Sequence, residues 1–370
     1  MKIIQMIARV NRGGTARWLD ELIEELQKAG HQTVLYAGSV QDGETEDECF
    51  SNHNGKRISG LGRSISLWGD LQAILQVRKI LKRELPDVLN THTAKAGVIG
   101  RLAALSLGNK RPAIVHTIHG HLLYGYFSKI KTFIFMLIEK LLASRSDVLI
   151  AAGDKVKNEL LRAGIGREEI YVVARPSVRL HELESKNVSR AKLGISESEV
   201  VIGWLGRLAQ VKRPDRVIEL AKKMNDLTFV IGGDGDLLDS LRIDLPSNVR
   251  LVGWTRPEEI WTASDIALLT SDNEAQPISL IEAGLAGIPA VAENVGSVSE
   301  VIDDGVTGIL VSNIEKRIDA ISALVKNKKL RLQMGKSAKV YCENKFGWQQ
   351  FLETHTKAYE KALKMRGTKP

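Results

Sequence analysis

The sequence predicts an α/β fold of two doubly wound, parallel-sheet domains. Short apolar runs alternate with helical patterns along all 370 residues. A second series of such runs begins near Val200. Between the two, ARPSVRLHELESKNVSR lacks strong periodicity and reads as a join near residues 174–195. Each half is then the size of one doubly wound domain with its own core.

The elements follow in order. KIIQMI is a buried first strand, a helix runs from about Thr15 to Ala29, and TVLYAG completes a β-α-β unit. PDVLNTH, AIVHTIHG and DVLIAAG are further strands with helical stretches between them. In the second half VVIGWLGRL, LTFVIGGDG, VRLVGW, IALLTS and PAVAEN each end in glycine or polar residues before a helix or turn. No fixed-period repeat and no low-complexity tract interrupts the pattern. The opening MKIIQMIARVNRGG is too short an apolar run for a secretory signal. No stretch of 18 uncharged apolar residues suggests a membrane span. Cys49 and Cys342 have neither metal-ligand spacing nor a disulfide framework, which fits a reducing compartment.

Hydrophobic content of 44% and charged content of 26% exclude a disordered chain. The net charge of +8 is uneven: residues 1–180 carry 26 Lys+Arg against 18 Asp+Glu, and residues 181–370 carry 26 against 26. A basic first half attracts an anionic partner, or is simply a solvated basic surface. Nucleic-acid binding is not expected, because no motif for it is present and aromatic content is 5%.

Five stretches can carry chemistry. Gly13 and Gly14 stand between the first strand and a helix, where backbone N–H groups favour an anion; a plain tight turn would look the same. Arg207 and Lys212 follow VVIGWL and can clamp a diphosphate, or be two solvated cations. Glu274 and Glu282 bracket a loop and the first turns of the next helix. There a carboxylate can accept from sugar hydroxyls, while Glu282 also suits the helix dipole. His116, His119 and His121, with His92, offer either a metal site, for which no acidic or thiol partner stands at ligand spacing, or one active-site imidazole among structural ones. Residues 122–143 mix apolar side chains with Lys129, Lys131 and Lys140, as a core helix or an interfacial one would.

Taken together, these stretches resemble the family 4 retaining glycosyltransferases of the GT-B fold, over nearly the whole chain. NEAQPISLIEAGLAGIPAVAENVGSVSEVIDDGVTGILV is similar to that family's E-x7-E stretch and the elements after it, and GRLAQVKRPD to its diphosphate clamp. NTHTAKAGVIGRLAAL and HTIHGHLLYGYFS are similar to a bacterial subgroup linked to polysaccharide and cell-envelope glycan assembly.

The resemblance implies two Rossmann-like domains facing a cleft. Residues 1–178 would take the acceptor and residues 179–345 the nucleotide sugar, and residues 346–370 would form a helix crossing back to the first. It implies transfer from an NDP-sugar, a UDP-sugar by preference, to a glycan or lipid-linked acceptor, without cofactor or metal. Gly13 and Gly14 would lie near the donor diphosphate, and Arg207 and Lys212 would neutralise it. Glu274 would hold donor hydroxyls and Glu282 the ribose. The backbone of Ile278, Ser279 and Leu280 would meet phosphate oxygens, and His119 would stand against the sugar.

Ser177 and Arg179 depart from the family's proline-glycine turn and acid, and Ala275 and Ser297 each replace a glycine. The alternatives on the same fold are a nucleotide-sugar 2-epimerase and a non-catalytic nucleotide-sugar-binding protein. The expected location is cytoplasmic, with peripheral contact at the inner membrane face left open.

Overall fold

The computed structural model describes residues 1–62, 64, 66–120, 129–181 and 183–367. The chain divides into two compact units, one made of Met1–Ser177 and the C-terminal segment from Trp348, the other of Val178–Gly347.

Unit 1 runs β1 (Lys2–Ile7), α1 (Gly14–Lys28), β2 (Gln32–Ala37), α2 (Cys49–Asn52), β3 (Lys56–Arg57), α3 (Leu67–Glu84), β4 (Val88–His92), α4 (Ala94–Leu105), β5 (Ala113–Ile118), α5 (Lys129–Ala143), β6 (Val148–Ala151), α6 (Asp154–Arg162) and β7 (Tyr171–Val173). Its seven strands are parallel in the order β3-β2-β1-β4-β5-β6-β7. Successive strand residues face opposite sides, so Ile4 and Met6 pack with Ala73, Val77 and Ile99 of α3 and α4, while Ile3 packs with Trp18 and Leu22 of α1.

Unit 2 runs α7 (Lys186–Lys192), β8 (Val201–Leu205), α8 (Asp215–Lys223), β9 (Thr228–Gly232), α9 (Leu238–Arg242), β10 (Val249–Gly253), α10 (Pro257–Ala263), β11 (Ile266–Leu269), α11 (Ile278–Leu285), β12 (Ala290–Glu293), α12 (Val298–Val301), β13 (Gly308–Val311), α13 (Ile314–Lys326) and α14 (Lys328–Lys345). Its six parallel strands lie in the order β10-β9-β8-β11-β12-β13. α15 (Trp348–Gly367) belongs to unit 1, where Phe351, Ala358 and Tyr359 join the core beside Trp18.

The join is more ordered than its periodicity suggests. Lys186–Lys192 is helical, and it is held by a cation rather than an apolar stripe. The buried guanidinium of Arg190 donates to the carbonyls of Ala263, Glu197 and Glu199 and pairs with Asp265 at 2.7 Å. β3, β7 and β13 are short strands absent from the sequence reading.

Candidate functional site

In an open parallel sheet, ligands gather beyond the carboxyl ends of the strands, where the strand order reverses. Unit 2 reverses between β8 and β11. The loops leaving these two strands hold Arg207, Lys212 and Glu274, and α11 opens at Ile278 just after the second loop.

The two loops are bound to each other. The Thr270 hydroxyl accepts from the Trp204 indole at 3.1 Å and points its own proton at the carbonyls of Lys212 (3.1 Å) and Arg213 (2.9 Å). Arg216 donates to the Thr270 carbonyl at 2.8 Å and pairs with Asp272 at 2.7 Å. The Asp272 N–H in turn donates to the Val211 carbonyl at 2.9 Å. Within this frame Lys212 Nζ meets Glu274 Oε1 at 2.5 Å, and Ser271 Oγ donates to the same oxygen at 2.6 Å. Glu274 is 6% exposed and the Lys212 side chain 30%. Arg207 is exposed, and among the described residues its guanidinium has no hydrogen-bond or ion-pair partner.

Two glycines permit the close approaches. Gly233, after β9, has φ 141°, and a Cβ on it would stand 1.9 Å from the Gly206 carbonyl oxygen. Gly296 has φ 49°, and its Cβ would stand 1.9 Å from the carbonyl oxygen of Glu274. The N–H of Ser297 donates to that same oxygen at 2.9 Å. Ser297 itself has φ −97°, which any residue adopts, so serine in place of the family's glycine leaves this grip intact.

α11 starts at Pro277 without a side-chain cap. The Leu280 N–H donates to the Pro277 carbonyl at 3.0 Å, whereas those of Ile278 and Ser279 have no acceptor among the described residues. Of the three backbone groups named from the sequence, these two are the ones open to an anion. Glu282 lies one turn on, 2% exposed, and its Oε2 accepts from the Trp261 indole of α10 at 3.4 Å.

Unit 1 reverses between β1 and β4. After β1, Gly13 takes φ 148° and ψ −176°, a conformation closed to L side chains, and its carbonyl accepts from Ala16 and Arg17 as α1 begins at Gly14. The chain after β2 clasps this loop. The Arg12 N–H donates to Thr45 O at 3.1 Å, the Asp47 N–H donates to Val10 O at 2.9 Å, and Arg9 pairs with Glu44 at 2.7 Å.

His92 ends β4 and His119 follows β5. Their Nδ1 and Nε2 atoms are 2.8 Å apart, and the rings stack at 5.0 Å. Trp18 meets His119 edge-on at 4.9 Å. His116 is engaged elsewhere, with Nδ1 at 3.0 Å from the Thr91 carbonyl and Gly97 packed against its ring. Burial pushes the His119 pKa down to about 3, helped by His355, and holds His92 and His116 well below the ordinary imidazole value. All three are therefore neutral at physiological pH. His121 lies outside the described residues.

Among the described residues the thiol-containing trio is Asp20, Cys49 and His53. Burial, with Asp20 and Asp47 close by, pushes the Cys49 thiol far up, and His53 is tied to Asp20 at 2.7 Å.

Sequence reasoning missed Thr270 and Ser271, although polar residues directly after the apolar IALL mark the carboxyl end of a strand. It also missed Gln5, a lone amide inside KIIQMI that turns out to bond His92 at 2.8 Å.

A model described as Glycosyltransferase Family 4 matches residues 12–176, and one described as Glycosyl transferases group 1 matches residues 185–341. The chain is similar to the UDP-Gal:alpha-D-GlcNAc-diphosphoundecaprenol alpha-1,3-galactosyltransferase of Escherichia coli, 28% identical over 316 residues, 78% of each chain. It is 25% identical over 321 residues to the capsular polysaccharide biosynthesis glycosyltransferase CapM of Staphylococcus aureus, covering 82% of this chain and 84% of that one. Among solved structures, Anabaena Alr3699/HepE in complex with UDP and glucose superposes with a TM-score of 0.80 at 20% identity, over 96% of this chain and 98% of that one. Two parallel α/β units and family models that match residues 12–176 and 185–341 give one conclusion: the chain belongs to glycosyltransferase family 4 and is a glycosyltransferase of the GT-B fold.

Proposed function

We propose that this enzyme moves a hexose or N-acetylhexosamine from a UDP-sugar to a glycan or lipid-linked acceptor in cell-envelope polysaccharide synthesis, with retention of configuration and without a metal. The observation that carries the reading is the braced loop pair after β8 and β11, which sets Lys212 on Glu274 and leaves the Arg207 guanidinium unengaged. Cleavage of a glycosyl–phosphate bond builds negative charge on the diphosphate. A preorganised cation meets that charge best. Arg207 supplies it, Lys212 adds to it, and the N–H groups of Ile278 and Ser279 receive phosphate oxygens. Glu274 accepts from donor hydroxyls, and Trp261 orients Glu282 for the ribose. Gly13 and Gly14 give the diphosphate room at α1, and His119 lies against the sugar.

The donor and acceptor follow what the names of similar proteins say of those proteins: UDP-Gal and a diphosphoundecaprenol-linked acceptor for one, bound UDP and glucose for another. A peripheral contact with an anionic membrane fits α5, where Phe133, Ile134, Leu137 and Leu141 are exposed beside Lys140. No described helix is long and apolar enough to cross a membrane.

The test is calorimetric binding of UDP and GDP in EDTA, for the wild type and Arg207→Ala. UDP binding without metal, weakened by the substitution, supports the reading. Binding that needs a divalent cation, or that ignores the substitution, refutes it.

A further inference from the structure

A chain of buried polar groups runs behind His119, and the transfer reaction does not by itself require it. Thr117 Oγ1 donates to Asn90 Oδ1 at 3.0 Å, and Asn90 Nδ2 donates to the Tyr359 hydroxyl at 3.0 Å. Gln5 Nε2 donates to the same hydroxyl at 3.0 Å, and Gln5 Oε1 faces His92 Nε2 at 2.8 Å. His92 Nδ1 then faces His119 Nε2 at 2.8 Å. Gln5, Asn90, His92 and Thr117 are each 0% exposed, as is Tyr359. The links come from three neighbouring strands, β1, β4 and β5, and from α15.

We propose that Gln5 and His92 are positioning residues that fix which ring nitrogen of His119 carries its proton. This rests on the reading of His119 as a group that meets the donor sugar. With the Gln5 amide nitrogen turned to Tyr359, its oxygen receives a proton from His92 Nε2. A neutral imidazole has one N–H, so His92 Nδ1 must accept. His119 Nε2 therefore donates inward, and its Nδ1 lone pair is left without a partner among the described residues. His119 in this tautomer accepts a hydrogen bond from a sugar hydroxyl at Nδ1 and cannot donate one there. Burial keeps both rings neutral, so the arrangement persists across the physiological range. Tyr359 makes the C-terminal helix part of this device, which is why a residue far along the chain bears on a ring after β5.

The experiment is nitrogen-15 NMR of the full chain labelled at histidine, with the His119 signals assigned by their loss in His119→Ala. The wild type should show His119 protonated at Nε2 and bare at Nδ1. The reverse tautomer overturns the proposal. Gln5→Leu, which removes the acceptor for His92, should give two His119 tautomers in exchange; an unchanged single tautomer also overturns it. UDP release from UDP-galactose gives a second readout. His92→Phe keeps the ring stack and removes the acceptor, so the rate should fall about tenfold, the worth of one hydrogen bond, with UDP affinity unchanged. His92→Asn restores an acceptor near the Nδ1 position and should recover most of that rate. A His92→Phe enzyme as fast as the wild type counts against the relay. A His119→Ala enzyme as fast as the wild type counts instead against placing His119 at the sugar, and the tautomer measurement still decides the relay. Should His92→Phe fail to fold, the wild-type and Gln5→Leu spectra decide alone.

Discussion

Lys212→Met removes one charge from a pair whose other member is buried, while keeping most of the side-chain volume. Glu274, 6% exposed, would then hold its carboxylate with the Ser271 hydroxyl as its remaining side-chain donor. Stripping one partner from a fully buried pair costs about 3–5 kcal/mol. Lys212 is 30% exposed, so solvent already screens the pair, and the expected loss is about 1–3 kcal/mol. For a domain the size of unit 2 this lowers Tm by about 2–4 °C per kcal/mol. Adding Glu274→Gln removes the orphaned charge and keeps an oxygen for Ser271, so the double variant should recover at least about half of the loss. Arg207→Ala supplies the contrast. Its side chain is exposed and unengaged, so stability should stay within about 0.5 kcal/mol, while the transfer rate falls at least about 10²-fold. Calorimetric melting of the four proteins, run beside UDP release, separates the two cations. Equal melting of Lys212→Met and the wild type would refute the buried-pair argument, and full activity in Arg207→Ala would refute the clamp.

Three further outcomes are expected. Gly13→Ala meets no atom within 4 Å but forces φ 148°, so it should cost about 1–3 kcal/mol through backbone strain, read by urea unfolding. Tyr359→Phe leaves the buried amide nitrogens of Gln5 and Asn90 without this acceptor, and should cost about 1–3 kcal/mol in the same assay. Acid should destabilise the chain early. His92, His116, His119 and His355 are held neutral by burial, with His119 at about 3 and His355 at about 4. The unfolded chain binds these protons near pH ~6.5, so stability falls as pH drops from there toward the folded values, by about 1.4 kcal/mol per unit for each group. Above that range these groups contribute no pH dependence. Urea midpoints that stay flat below about pH 6 would contradict this.

The fold was legible because both sheets are parallel and covered on both faces, so KIIQMI, AIVHTIHG and LTFVIGGDG read as continuous apolar runs. β3 and β7 escaped because strands of two and three residues carry too few side chains for a pattern. α7 escaped because Arg190 anchors it to the Ala263 carbonyl and the Asp265 carboxylate, 73 and 75 residues along the chain, which no local periodicity records. Individual site residues were legible as types but not as partners. Nothing in GRLAQVK or NEAQP says that Lys212 rests on Glu274 or that Arg207 does not. That assignment comes from the β8–β11 reversal and from Thr270, which ties one loop to the other. The relay was hidden for a different reason. Gln5, Asn90 and Tyr359 stand in separate stretches of the chain, and only the assembled core shows that the two amides share the tyrosine hydroxyl.

The two units handle charge in opposite ways, and the proposed reaction gives a reason. The loops of unit 2 expose Arg207 and hold Lys212, in keeping with a leaving diphosphate that gains negative charge. His92, His116 and His119 of unit 1 are kept neutral by burial, and the Arg101 charge near His116 is matched by Glu139 at 2.5 Å. A sugar that loses a phosphate gains positive charge at its anomeric carbon, and an imidazolium beside it would raise the barrier rather than lower it. A neutral ring with its lone pair outward avoids that repulsion and still accepts from a hydroxyl. On this argument the low His119 pKa serves the reaction. A substitution that returned a charge to this ring would slow transfer even if every other contact were kept.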